Sequence, residues 1–244
     1  MSRLVASGLP ASLAAKRVSV DTSQEAILPI AENEQAPQSD LKPLLLAIDN
    51  FDGEKLSHEL RRLALALPTH DFFDRVIVPL MADLNARWAN FNPTDHVQEH
   101  ITTQSIRRLM HELCTMVRPG LARGRVLIVP FQNDVHLLPL DALEFMFTSQ
   151  GFRTLQLGPM TAPSALASVV ERTQPDLIAI SMSSRVPAAQ AETMLKEYQT
   201  AVGEVPWIVG GSAAQGLATE LEAAGAVLVS NGQALDRYLR NFML

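Results

Sequence analysis

Cysteine is nearly missing from this chain: Cys114 is the single one in 244 residues, which excludes an internal disulfide and any metal site built from several thiolates. A lone thiol reads as a small buried hydrophobe and fits a reducing compartment. Basic surplus is missing as well. Twenty Lys and Arg stand against 26 Asp and Glu, a net charge of −6, so a direct, phosphate-driven grip on DNA or RNA is not expected. A role in gene expression would then run through another protein. The longest apolar runs, such as VPLMADL and VLIVPF, fall far short of the ~18–20 residues of a membrane span. The first residues have no signal-peptide core, so the expected location is the cytoplasm. No P-loop, G-x-S-x-G elbow or H-E-x-x-H motif occurs, which removes the usual nucleotidase, hydrolase and zinc-protease routes. Nothing gives reason to expect turnover, and the chain is read as a non-enzyme.

What is present divides into three parts. Residues 1–40 have little periodicity, and AENEQAPQSD reads as a solvated linker. Met1 to Val18 has the make-up of a floppy terminus or a short partner-binding helix. From Leu41 to about Gly120, apolar residues recur at helical spacing. Four helices are predicted: Leu41 to Asn50, Asp52 or Gly53 to Ala66, Thr69 to Ala89 with a possible kink at Pro79, and Thr94 to Val117. Short connections imply a small antiparallel four-helix bundle over 41–120.

From Gly124 to Leu244 the period changes. Short apolar runs at RVLIVPF, TLQLG, DLIAISM, PWIVGG and AVLVSN alternate with helical stretches. Buried strands alternating with helices specify a doubly wound, five-stranded parallel sheet of Rossmann-like type. Ligands of such domains sit beyond the carboxyl ends of the strands. The loops to inspect are therefore Gln132 to Pro139, Gly158 to Pro163, Ser181 to Pro187, Gly210 to Gln215, and Ser230 to Gly232.

The first of these carries Asp134-Val135-His136-Leu137-Leu138-Pro139. A neutral imidazole there can offer one nitrogen to a metal while a carboxylate holds the other. An isolated D-x-H also fits a surface histidine beside a helix-capping aspartate, and spacing alone leaves both open. Ser181-Met182-Ser183 follows the third strand and Gly210-Gly211-Ser212 the fourth. Glycines permit close backbone approach, and short hydroxyls can bind a buried polar group without filling its space.

This order of motifs resembles the cobalamin-binding domains of corrinoid proteins, whose first loop reads D-x-H-x-x-G. The resemblance implies that His136 is the lower axial ligand of cobalt, replacing the dimethylbenzimidazole of adenosylcobalamin or hydroxocobalamin. It also implies that the displaced tail enters a slot lined by the serine and glycine motifs. Gly158, Asn231 and Gly232 are added as loop residues of the same edge. Pro139 departs from the family glycine. The helical half is similar to the caps of light-sensing cobalamin regulators, which carry a Trp and then a Glu-His pair, here Trp88, Glu99 and His100. Ala89 stands where a second histidine of those photoreceptors captures cobalt, leaving His96 or His100 as substitutes.

The layout looks more like the AerR/PpaA-type antirepressors of photosynthetic bacteria, and the DNA-binding domain of the light-sensing transcription factors is not expected here. The expectation is a light-responsive, cobalamin-binding regulator of photosynthesis genes acting through a repressor protein. A corrinoid methyl carrier and a haem-binding sensor are the alternatives. The oligomeric state is not legible.

Overall fold

The computed structural model describes residues 38–88, 93–117, 121–132 and 134–242. The expected N-terminal segment up to residue 37, together with Ala89, Asn133 and the helix stop at Pro119-Gly120, lies outside the described residues, as does the side chain of Trp88.

Helices α1 (Gln38–Asp49) and α2 (Gly53–Ala66) form a hairpin. Asp52 caps α2 by accepting the Lys55 N–H at 3.0 Å, which satisfies one of the amides a helix start leaves unpaired. Next, α3 (Thr69–Phe72) runs through a π-helical turn (Phe73–Ile77) into α4 (Val78–Trp88). The expected kink thus appears as a wide turn just ahead of Pro79, where the Val78 N–H reaches back to Phe73 O. Proline lacks an N–H and crowds the carbonyl four residues earlier, and a π-turn is one way to absorb this. The long α5 (Pro93–Met116) closes the helical half.

The α/β half follows as β1 (Arg125–Pro130), α6 (Leu138–Ser149), β2 (Arg153–Gln156), α7 (Pro163–Thr173), β3 (Leu177–Ser181), α8 (Ala188–Val202), β4 (Trp207–Gly210), α9 (Ala218–Ala223), β5 (Val227–Val229) and α10 (Gly232–Phe242). The sheet is five-stranded with order β2-β1-β3-β4-β5, and its pairs are parallel. This is the doubly wound arrangement that the strand and helix alternation predicts. Side chains of successive residues leave opposite faces of a strand, and both faces are covered. Leu127, Val129, Ile178, Ile180 and Val209 pack with α7, α8 and α9. Val126, Ile128, Leu177, Ala179 and Ile208 pack with α6 and α10 in a core that continues into the helical half through Phe72, Phe73, Val76 and Leu80. Two buried faces explain why the strands read as unbroken apolar runs rather than alternating ones.

Two carboxylates tie the helical layer to the α/β layer. Asp141, in the first turn of α6 and 2% exposed, accepts from Arg107 Nε of α5 at 2.5 Å. His111 Nε2, on an exposed side chain, lies 3.5 Å from the same group. Asp74, in the π-turn, accepts the Gly232 and Gln233 N–H groups at 2.8 and 3.0 Å. It thereby caps α10 from 158 positions away in the chain, where a negative charge is favoured. A Cβ on Gly232 would meet the Asp74 oxygens at 3.0 and 3.2 Å, so the small residue lets the cap approach. Cys114 is half-buried; burial, helped by the Glu144 charge, pushes its thiol up to about 11, which disfavours the thiolate form.

Asp74→Ala is expected to lower stability by about 1–2 kcal/mol, the usual effect of losing a helix cap, read as a lower urea midpoint. An unchanged midpoint would contradict the role assigned to this cap.

Candidate cofactor site at the strand ends

The in-register ends of the strands bring Pro130, Ser181, Gly210 and Val229 side by side. The loops beyond them form the edge at which the sequence motifs converge. After β1 the chain turns at Phe131, with the Asp134 N–H bonded to Phe131 O at 2.9 Å, which carries the Asp134 side chain inward.

Asp134 is 2% exposed and organises two loops. Its Oδ1 accepts from His136 Nδ1 at 2.6 Å and from the His136 N–H at 3.1 Å. Its Oδ2 accepts the N–H groups of Ser183 and Ser184 at 2.5 and 3.2 Å. The aspartate therefore does not cap α6, whose N-terminus has no side-chain cap. Burial alone would raise the Asp134 carboxyl, but hydrogen bonds from the His136 ring and from the Ser183 and His136 amides hold it below the ordinary range. The His136 imidazole is raised chiefly by its hydrogen bond to Asp134, against opposing burial, with the Asp134 and Glu99 charges adding to the rise.

The ring is 58% exposed at the side chain. With Nδ1–H donating to a carboxylate, the neutral tautomer leaves the Nε2 lone pair free, and the carboxylate increases its basicity as in other metal-binding histidines. Among the described residues no three His, Cys, Asp or Glu side chains converge, so His136 offers a metal one protein ligand. That donor set fits a metal whose remaining ligands belong to a macrocycle.

Gly211 stands at φ +113, and a Cβ there would lie 2.3 Å from Met182 O and 2.7 Å from Met182 C. No side chain fits against that backbone, so the glycine lets the loop after β4 lie directly on the loop after β3. Ser212 Oγ donates to Ser183 O at 3.4 Å across the same seam. Gly210 is tight in its own way, because a Cβ would meet Val229 O at 3.1 Å.

The structure thus brings Asp134, His136, Ser183, Gly210, Gly211 and Ser212 into one edge, with Val135 and Gly158 exposed on it. Glu99, half-buried near the start of α5 and joined by the Thr103 hydroxyl at 3.3 Å, is within electrostatic reach of His136. His100 is exposed on the same helix and His96 half-buried. Other predicted residues have their groups engaged elsewhere. Ser181 and Met182 are buried, and Met182 belongs to the core. Leu137 and Leu138 pack partly against the core on the opposite face of the sheet. Asn231 Oδ1 accepts the Ala234 N–H at 2.8 Å as a local cap, and the Gly232 amide is taken by Asp74. Sequence reasoning missed Ser184, whose amide completes the Asp134 cradle, and Asp74. The serine pair in Ser183-Ser184 was a usable signal; for Asp74 a partner so distant in sequence leaves none.

Known proteins agree with this architecture. Residues 124–238 match the family model described as B12 binding domain. Over 173 residues the chain is 28% identical to the HTH-type transcriptional repressor CarH of Myxococcus xanthus, covering 70% of this chain and 57% of that protein. Over 189 residues it is 21% identical to the repressor CarA of the same organism, covering 78% and 64%. The chain therefore spans less than two thirds of the length of these curated relatives. A monomethylamine corrinoid protein of Methanosarcina barkeri superposes with a TM-score of 0.64 at 15% identity, over 83% of this chain and 98% of that one. The α/β half has the Rossmann-like B12-binding fold.

Asp134→Asn is expected to cost about 1.5–3 kcal/mol, the range for hydrogen bonds to a charged group. Faster hydrogen exchange should be confined first to the Ser183 and Ser184 amides. Unchanged exchange there would mean that the carboxylate does not hold the two loops together.

Proposed function

We propose that this chain is a cobalamin-binding regulator that acts on a protein partner, with His136 Nε2 as the lower axial ligand of cobalt. The observation that carries this reading is the Asp134 and His136 pair: a buried carboxylate fixes Nδ1 at 2.6 Å and leaves the other nitrogen free at the solvent edge. The match of residues 124–238 to the B12 binding domain and the likeness to two transcriptional repressors support it. Bound cobalamin supplies a cobalt whose upper ligand is exchangeable and, in the adenosyl form, light-sensitive. The chain's own residues bind and orient the cofactor. Asp134 sets the imidazole tautomer, and Gly211 keeps the loops after β3 and β4 in register. Glu99 and His100, on α5 of the helical half, would cover the bound cofactor.

A regulator needs two states with different contacts to its ligand. The helical layer is suited to this because α5 carries Glu99 near His136 and is anchored by Arg107 to Asp141, five residues beyond the histidine. The partner in this reading is a transcriptional repressor, the protein an antirepressor, and light its signal; no turnover is involved.

The test is an absorption spectrum after dark incubation with hydroxocobalamin or adenosylcobalamin and removal of free ligand. Wild type should retain cobalamin and show a spectral shift that His136→Ala lacks, and the adenosyl form should change on illumination. Absence of retained cobalamin, or uptake of haem alone, would overturn the proposal. A light-insensitive complex that passes a methyl group to an acceptor would favour a corrinoid carrier.

A further inference from the structure

Two large apolar side chains stand in solvent at the edge that carries His136. Val135 is 62% exposed and Met160 73% exposed. Val135 precedes His136 in the loop after β1, and Met160 lies in the loop after β2. Those strands are paired neighbours, so the two loops leave the sheet side by side.

Met160 is also held in an unfavourable backbone conformation. Its φ of 65° lies in the left-handed region, which a residue with a Cβ adopts at a cost that glycine avoids. The loop is ordered around it: Thr161 Oγ1 donates to Gly158 O at 2.7 Å across the turn. Gly158 has nothing within 4 Å of a would-be Cβ, so the rim beside Met160 is open. Met160 thus combines a left-handed backbone with a thioether exposed to solvent, where it gains little from packing. Residues kept in strained conformations cluster where a ligand uses them.

Resting on the cobalamin reading, we infer that Met160, together with Val135, forms an apolar shelf on which the edge of the corrin ring rests beside His136 Nε2. One imidazole fixes the position of a metal but not the tilt of a wide, largely apolar macrocycle. A shelf on the neighbouring loop does, and a flexible, polarizable thioether fits an irregular ring edge. Met160 is thus a positioning residue for the bound cofactor.

Methionine oxidation tests this directly. Met116, at the end of α5, is 75% exposed and serves as the internal control. The full chain, with and without hydroxocobalamin, is treated with dilute hydrogen peroxide in the dark, and sulfoxide formation is followed peptide by peptide. Without cofactor, Met160 and Met116 should oxidise at similar rates. With it, Met160 should be protected about tenfold and Met116 unchanged, while Met160→Gly should lose cobalamin about tenfold faster and show a urea midpoint no lower than wild type. Equal oxidation of Met160 in loaded and free protein, or an unchanged loss rate in Met160→Gly, would overturn the shelf while leaving cobalamin binding intact. Failure of the wild type to retain cobalamin would overturn both.

Discussion

Asp134 is a buried carboxylate that accepts from the ring and the amide of His136 and from the amides of Ser183 and Ser184. Removing a carboxylate from water is costly unless it is hydrogen-bonded, and here both of its oxygens are engaged. The loop after β1 is therefore bound to the loop after β3, and the loop after β4 is laid on the latter by Gly211. The direction of the imidazole follows from this arrangement. In the proposed site, with a single protein ligand, that ligand would have to be held before the metal arrives, and the carboxylate holds the imidazole in place.

The helical half is joined to the α/β half by charge as well as by apolar packing. Asp141 lies a short way along the helix that the His136 loop enters, and its partner Arg107 lies on the helix that brings Glu99 near the histidine. Asp74 joins the π-turn to the last helix. Both links run from one layer to the other beside a shared apolar core, a route by which the proposed regulator would carry a change at the ligand edge into the helices. This is the coupling that the proposed regulator requires.

Much of this was legible in the sequence. Unbroken apolar runs at Val126 to Val129 and Leu177 to Ile180 identify strands buried on both faces, and the helical spacing before residue 117 identifies the helical half. The loop motifs were legible because chain order places them at one end of a parallel sheet. The role of Asp134 was legible only in part: its partnership with His136 is local, whereas its bonds to Ser183 and Ser184 depend on strand register. Asp74, Asp141 and the left-handed backbone of Met160 were not legible. The first two act on residues distant in the chain, and nothing in the residue type Met signals a positive φ. The π-turn before Pro79 shows the same limit, since proline predicts a disturbance without specifying its form.

The central claim is that a protein nitrogen, that of His136, is bound to cobalt in the complex. Electron paramagnetic resonance of the reduced, paramagnetic cobalamin complex, formed with uniformly nitrogen-15-labelled protein and unlabelled cofactor, reads that nitrogen directly. The account predicts doublet superhyperfine splitting from a nitrogen-15 ligand, absent in His136→Ala. Triplet splitting from the cofactor's own unlabelled base, or no nitrogen splitting at all, would contradict it.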